Sequence, residues 1–217
     1  MTIDLGRNPW ILICLMFLEI LLIIIPAFIS SKIENTSVLQ ELKKMGLTIR
    51  SNSLTIKLER IFIGICLGIL FFVMSSYLLY FFKDIVIKNI LGKEFLKQAE
   101  RNAINTQPIE PLLIQLVIII ILQVLIIALC EEAFFRGFLI QKLELKLKPS
   151  YSILLSSCCF SIYHIPPFLV PLYTIVVFFG YYFTFGVLLS LIFKFFKNSL
   201  LPCILSHGLF NVLILLF

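Results

Sequence analysis

The sequence is poor in charged residues and unusually poor in histidine. Asp, Glu, Lys and Arg make up 14% of its 217 residues, there are two histidines, and hydrophobic residues make up 60%. Soluble domains average about 25% charged and about 45–50% apolar residues. The composition therefore excludes an ordinary soluble domain and a disordered tail, and it indicates a membrane protein.

The cysteines lack any spacing typical of a metal site or a disulfide framework. No CxxC pair or zinc-ribbon pattern is present. All six lie in apolar runs or at their ends, and we expect them to be small buried hydrophobic residues: Cys14, Cys66, Cys130, Cys158, Cys159 and Cys203.

The apolar runs also lack the alternation of apolar and polar residues that marks a membrane β-barrel. A helix needs about 20 apolar residues to cross a bilayer. The runs predict about six spans, at 10–29, 61–82, 111–140, on each side of the proline cluster 166–171, and at 198–217. We therefore expect an all-α polytopic transmembrane helix bundle in which 1–217 form one integral membrane domain.

The polar segments carry the net charge of +6 between the apolar runs. Lys and Arg in such positions flank membranes, so nucleic acid is excluded as a partner and membrane lipid is expected. The connections 30–60, 141–150 and 194–198 carry more Lys and Arg than the opposite side, which favours both termini outside. Hydrophobic residues near helical spacing predict a partly helical surface segment within 83–110.

Two features of the first spans are interpreted as packing features. Gly64 and Gly68 have the GxxxG spacing that permits close helix contact. Glu19 is the only acid inside the first apolar run, and we interpret it as an interhelical or interfacial group.

Ionisable residues inside the later apolar runs are the main functional candidates, because a charge in hydrocarbon is costly unless it is paired or faces a cavity. Beyond the proline at 111, these residues are Glu131, Glu132, Arg136, His164 and His207. At 1.5 Å of rise per residue, the glutamate pair and both histidines lie roughly 13–21 Å from the nearest polar end of their runs. Three helices therefore place polar groups in the middle layer of the membrane.

Helical spacing suggests how these groups pair. Residues four apart share a helix face, so Glu132 and Arg136 can form an internal ion pair. His207 and Asn211 share a face in the same way. Glu131 lies about 100° around the helix from Glu132, which allows it to face a cavity while its neighbour pairs with Arg136.

Three short patterns in the second half resemble the motifs of one known family. The segment from Glu131 and Glu132 to Arg136 resembles its EExxxR motif, Phe160 to His164 resembles FxxxH, and His207 to Asn211 resembles HxxxN. These are the motifs of the CPBP (Abi) family of CAAX proteases and bacteriocin-processing enzymes, which includes the Rce1-like prenyl-protein proteases. The resemblance covers 111–217, whereas 1–110 supply the N-terminal spans and polar connections.

The resemblance implies intramembrane endoproteolysis. Glu131 and His164 would activate the attacking water, and His207 and Asn211 would stabilise the oxyanion. Glu132, Arg136 and Phe160 would support the site. The implied substrate is a membrane-associated peptide or a lipidated protein, such as a CAAX-type protein, a leader peptide or a bacteriocin or pheromone peptide.

Several alternatives stay open at the level of the sequence. A mechanism without a cofactor is slightly favoured, but Glu131, His164 and His207 would also make a His2Glu zinc site. A non-catalytic self-immunity or scaffold protein could use the same polar cavity, and buried acids and histidines also serve proton-coupled transporters. The absence of a soluble domain favours a bacterial protein of the plasma membrane.

Overall fold

The computed structural model describes residues 5–47, 53–104 and 107–217, and these residues form helices joined by short turns, without any strand. The all-α fold class is confirmed. We number the helices in chain order: α1 Pro9–Ile33, α2 Val38–Lys44, α3 Leu54–Leu91, α4 Lys93–Arg101, α5 Leu113–Glu144, α6 Pro149–His164, α7 Leu172–Phe195 and α8 Leu200–Leu216.

The predicted apolar runs all appear as helices, but they differ in length. Within the described part of the chain, four helices are long and apolar enough to cross a membrane: α1, α3, α5 and α7. The last apolar helix, α8, has 17 residues and α6 has 16. At 1.5 Å per residue these two helices reach roughly 24–26 Å, somewhat less than the hydrocarbon thickness of about 30 Å.

The polar connections are partly helical, as the sequence predicts for 83–110. In that segment α3 extends to Leu91 and α4 follows after Gly92, which adopts a φ of 87°. The apolar side of α4 packs on α7 through Leu96 and Ala99, close to Val177. The first connection contains α2, which begins with a capping box at Ser37.

Helix α5 carries the glutamate pair and departs from regular α-helix on both sides of it. Gln123–Ala128 and Ala133–Ile140 are π-helical, with Leu129–Glu132 between them. The helix is continuous through its charged residues, as predicted, but the sequence did not predict the wider turns. Short π-helical segments occur frequently at functional sites.

The GxxxG pair packs helix α3 directly against α8. A Cβ atom added to Gly64 would lie 2.8 Å from Leu205 Cβ, and one added to Gly68 would lie 2.9 Å from Leu209 Cβ and 3.0 Å from the Ser206 carbonyl oxygen. Only glycine allows this approach, so the packing role predicted for both residues is confirmed. The contact fixes the helix that carries His207 and Asn211.

The expectation that all cysteines are buried is wrong for half of them. Cys130 and Cys203 are buried and Cys158 is half-buried, whereas Cys14, Cys66 and Cys159 are exposed. Apolar residues in a membrane helix can face lipid tails as readily as the protein interior. Hydrophobic sequence context therefore does not distinguish the two environments here.

Candidate active site

The acid and both histidines of the predicted site meet in the middle of the bundle. Glu131 Oε2 lies 3.6 Å from His164 Nε2 and 3.8 Å from His207 Nε2. Glu131 and His207 are buried, and the His164 side chain keeps 22% of its surface exposed. The three groups come from α5, α6 and α8, so the structure joins residues that are up to 76 positions apart in the chain.

Hydrogen bonds fix which nitrogen of each imidazole faces Glu131. His164 Nδ1 lies 3.0 Å from the Phe160 carbonyl oxygen, which only accepts, so Nδ1 donates and Nε2 is turned toward the acid. His207 Nδ1 lies 2.8 Å from Glu132 Oε1 and leaves its Nε2 turned the same way. Both ring orientations are therefore set by hydrogen-bond partners other than Glu131.

Glu132 and Arg136 form the predicted ion pair behind the site. Arg136 Nη1 donates to Glu132 Oε1 over 2.9 Å, and Nη2 donates to the Gly186 carbonyl oxygen on α7 over 3.1 Å. Both side chains are completely buried. Because the same Glu132 oxygen also binds His207, the Glu132–Arg136 pair connects α5 with α7 and α8.

Phe160 and Asn211 occupy the edges of this arrangement. The Phe160 ring centroid lies 4.5 Å from the Arg136 guanidinium carbon and 4.3 Å from the His164 ring centroid. A cation over an aromatic face is attracted by the ring quadrupole. Asn211 Nδ2 donates to Gln123 Oε1 over 3.1 Å, and Gln123 lies in the first π-helical segment of α5.

A cavity of about 820 Å³ opens onto these residues. Its lining is mostly aromatic and aliphatic, and its polar side chains include Glu131, His164, His207 and Asn211. Binding cavities for ligands have volumes of about 300–1,000 Å³ and combine apolar walls with a few polar groups. The cavity is large enough for a short length of peptide.

The cavity residues that were not assigned to the site from the sequence include Glu19, Gln123 and Tyr163. The Tyr163 hydroxyl donates to Glu19 Oε1, which confirms the interhelical interpretation of Glu19 and adds a place in the cavity. The signal for Glu19 was its charge within an apolar run. Tyr163 and Gln123 gave no signal, because their partners lie far away in the chain.

The donor atoms of a hypothetical zinc site are of the right types. Two imidazole Nε2 atoms and a carboxylate oxygen face one another, and each histidine donates its other ring N–H to an oxygen, as metal-binding histidines do. Within residues 5–47, 53–104 and 107–217, however, no group of three His, Cys, Asp or Glu side chains is arranged to hold a metal ion. The arrangement thus fits zinc in donor chemistry but not in the placement of three ligands.

Comparison with known proteins supports the motif-based resemblance. Residues 113–213 match the family model described as type II CAAX prenyl endopeptidase Rce1-like. No curated protein and no solved structure matches the chain. The matched region runs from α5 to α8 and contains all three motifs, and it leaves α1 to α4 outside.

Proposed function

We propose that this chain, whose residues 113–213 match the Rce1-like CAAX endopeptidase family model, is an integral membrane endopeptidase that hydrolyses a peptide bond with a water molecule activated by Glu131 and His164. One observation carries the proposal. The carboxylate oxygen of Glu131 faces Nε2 of both histidines at 3.6 and 3.8 Å, and this oxygen has no hydrogen-bond partner among the described residues.

A water molecule that lies to one side of these atoms can contact both the acid and an imidazole. Separations of 3.6 and 3.8 Å are too long for a direct hydrogen bond. With Nδ1 of His164 occupied as a donor, its neutral ring presents an acceptor at Nε2. A carboxylate and an imidazole nitrogen can therefore accept both protons of one water and leave its oxygen lone pair to attack.

The reaction proceeds by addition of water to the scissile carbonyl. The water oxygen bonds to the carbonyl carbon and Glu131 takes a water proton. The C–N bond then breaks as Glu131 passes this proton to the leaving amine. His207 and Asn211 line the same cavity and would stabilise the oxyanion. Because His207 Nδ1 donates to Glu132, His207 can donate through Nε2 only when both ring nitrogens carry protons.

The proposed substrate is a membrane-associated peptide segment. Apolar side chains dominate the cavity and its polar groups lie at mid-membrane depth, which favours a lipidated CAAX-type protein or an apolar leader or bacteriocin peptide. We place the protein in the bacterial plasma membrane, with both termini outside. A non-catalytic peptide-binding protein would use the same cavity but would not need the acid.

The test is cleavage by purified protein in liposomes. The panel contains a farnesylated CAAX peptide, its unprenylated counterpart and apolar leader-like peptides, with products identified by mass spectrometry. We expect Glu131→Gln and His164→Ala each to lower the rate by about 100-fold or more. Glu94→Gln, a charge change at an exposed position of α4, serves as the matched control. Equal rates for Glu131→Gln and the control would overturn the proposal.

The same assay separates the two accounts of the cofactor. We expect full activity after chelation and extensive dialysis. Loss of activity that returns with added zinc would instead assign Glu131, His164 and His207 to a metal site. If the wild-type protein binds the peptides but cleaves none of them, the non-catalytic peptide-binding function replaces the proposed peptidase function.

A further inference from the structure

Glu19 brings a second carboxylate into the cavity from outside the matched family region. It lies on α1, roughly 15 Å along the helix from its first residue, Pro9. This places Glu19 at mid-membrane depth, and it lines the same cavity as Glu131 and His164. The N-terminal half of the chain therefore contributes a charged group to the site.

A hydrogen bond holds this carboxylate beside the FxxxH motif. The Tyr163 hydroxyl donates to Glu19 Oε1, and the Tyr163 ring centroid lies 5.5 Å from that of His164. The other oxygen, Oε2, is shielded from solvent and has no hydrogen-bond partner in the part of the chain that the structure describes. One oxygen thus fixes the carboxylate, and the other is left without a partner.

The charges around the cavity are unbalanced. Glu19 and Glu131 line it, whereas no Lys or Arg is found among the described residues of its lining. The nearby Arg136 is completely buried and already binds Glu132 and the Gly186 carbonyl oxygen. A carboxylate in apolar surroundings is stabilised by a cation that comes with a ligand, and it disfavours a second anion.

We propose that Glu19 is a specificity-determining residue that selects substrates carrying an ammonium or guanidinium group close to the scissile bond. This inference rests on the proposed peptidase function. It gives the cavity two roles, in which Glu131 faces the reacting water and Glu19 binds a cationic side chain of the peptide.

The competing interpretation is a structural one, in which the Tyr163–Glu19 hydrogen bond only joins α1 to α6. In that case, changes at Glu19 affect all substrates to the same extent. A charge preference is the readout that separates the two roles. It is measured as the ratio between two peptides that differ only in one ammonium group.

The experiment uses acetylated and amidated peptides of one apolar sequence, with lysine or its uncharged isostere norleucine at each position flanking the cleaved bond. Both kcat/KM and the dissociation constant are measured for the reconstituted wild type, Glu19→Gln, Tyr163→Phe and the surface control Glu94→Gln. At the favoured position we expect the wild type and the control to prefer lysine about 10- to 100-fold, as for a hydrogen bond to a charged group.

In Glu19→Gln the lysine preference should fall to about threefold or less, because an amide keeps the shape but loses the charge. Tyr163→Phe keeps the carboxylate and should retain a reduced preference. A wild-type protein without lysine preference at any position overturns the inference, whether or not Glu19→Gln folds. An unchanged ratio in Glu19→Gln overturns it as well.

The two proposals fail separately. Lysine-selective binding that depends on Glu19, without cleavage of any peptide, supports the cation site and contradicts the peptidase function. Cleavage that depends on Glu131, with equal rates for lysine and norleucine peptides, supports the peptidase and contradicts the cation site.

Discussion

At the scale of single residues, the site depends on one shared oxygen atom. Glu132 Oε1 accepts from Arg136 and from His207, at 2.9 and 2.8 Å. Removal of either donor leaves the buried carboxylate with fewer hydrogen bonds. The free energy of an unpaired charge is far higher in apolar surroundings than in water. Glu132 therefore stabilises the fold and sets the ring orientation of His207 at once.

The substitution Arg136→Ala should destabilise the protein strongly. It removes the cation from a completely buried pair and takes one of its donors from the Gly186 carbonyl oxygen, which also accepts from the Ser190 hydroxyl. We expect the free energy of unfolding to fall by about 3–5 kcal/mol, measured by denaturation in detergent. Arg60→Ala is the matched control, because Arg60 is half-buried and its guanidinium binds the Ser199 hydroxyl. An effect no larger than that of the control would show that the pair does not stabilise the fold.

The sequence predicted residue positions better than residue partners. Motif spacing and helical periodicity predicted that the ionisable residues of the apolar runs form one site: Glu131, Glu132, Arg136, His164 and His207. Both rules depend on residues that are close in the sequence. The contacts of Gln123 with Asn211 and of Glu19 with Tyr163 join residues 88 and 144 positions apart. Such pairs depend on how helices pack, which no local pattern determines.

At the scale of helices, the position of α8 depends on the glycines of α3. The Ser206 carbonyl oxygen lies 3.0 Å from the place that a Cβ atom on Gly68 would take, and His207 follows directly after it. A backbone atom cannot move aside without moving its helix. A small change in α3 is therefore transmitted to the site.

We expect Gly68→Ala to shift α8 and lower kcat, because a displacement of about 1 Å in a catalytic group can cost roughly 100-fold in rate. The neighbouring substitution Ile69→Ala is the control, since Ile69 is exposed on the lipid-facing side of the same helix. Both variants are compared in the peptide assay at equal amounts of inserted protein. Wild-type kcat in Gly68→Ala would refute this dependence.

A buried acid outside the spans ties the first connection to the end of α5. Glu41 on α2 accepts from the Ser30 hydroxyl over 2.8 Å and from Lys44 over 2.6 Å, and Lys142 of α5 lies 3.4 Å from it. Burial acts to raise the pKa of Glu41, but the hydrogen bonds from Lys44, Thr36 and Ser30 outweigh it and lower the pKa from 4.5 to about 2.

This lowered pKa predicts acid sensitivity. The carboxylate of Glu41 is more stable in the folded protein than in the unfolded chain. Its contribution to the free energy of unfolding is therefore complete above pH 4.5 and is lost as the pH falls toward about 2. Glu41→Gln should lower the melting temperature near neutral pH and flatten its decline over that acidic range, as measured by thermal unfolding in detergent. Glu94→Gln should keep the wild-type pH profile. A parallel decline in Glu41→Gln and wild type would contradict the assignment.

Helix existence could be predicted from the sequence, whereas helix regularity could not. The apolar runs predicted the four described helices that are long and apolar enough to cross a membrane, because the bilayer imposes both length and internal hydrogen bonding on the backbone. The sequence did not predict the π-helical segments around Glu131 or the 16-residue length of α6. Neither leaves a periodic mark in the sequence.

At the scale of the whole molecule, apolar residues lie in two environments, the protein interior and the lipid-facing surface. Large apolar residues face outward along α1, α3 and α5, while the polar side chains of the site face inward. The incorrect expectation for Cys14, Cys66 and Cys159 comes from this inversion, because lipid accepts an apolar side chain as well as the core does. Ionisable residues were the better guide, since only the interior offers them partners.

The cavity is a property of the complete bundle. Its lining combines residues of α1 and α3 with those of α5 to α8, although the family region covers the second part alone. The N-terminal spans are therefore part of the site. Glu19 of α1 can therefore contact a substrate in the cavity.

Peptide hydrolysis in water enriched with ¹⁸O, followed by mass spectrometry of the products, tests whether the site is hydrolytic. We expect the wild-type protein to place one ¹⁸O in the new carboxyl group. Glu131→Gln should yield about 100-fold less product while unfolding at the wild-type temperature. Undiminished product from Glu131→Gln, or intact peptide after incubation with wild-type protein that binds it, would contradict the claim that Glu131 and the two histidines form a hydrolytic site.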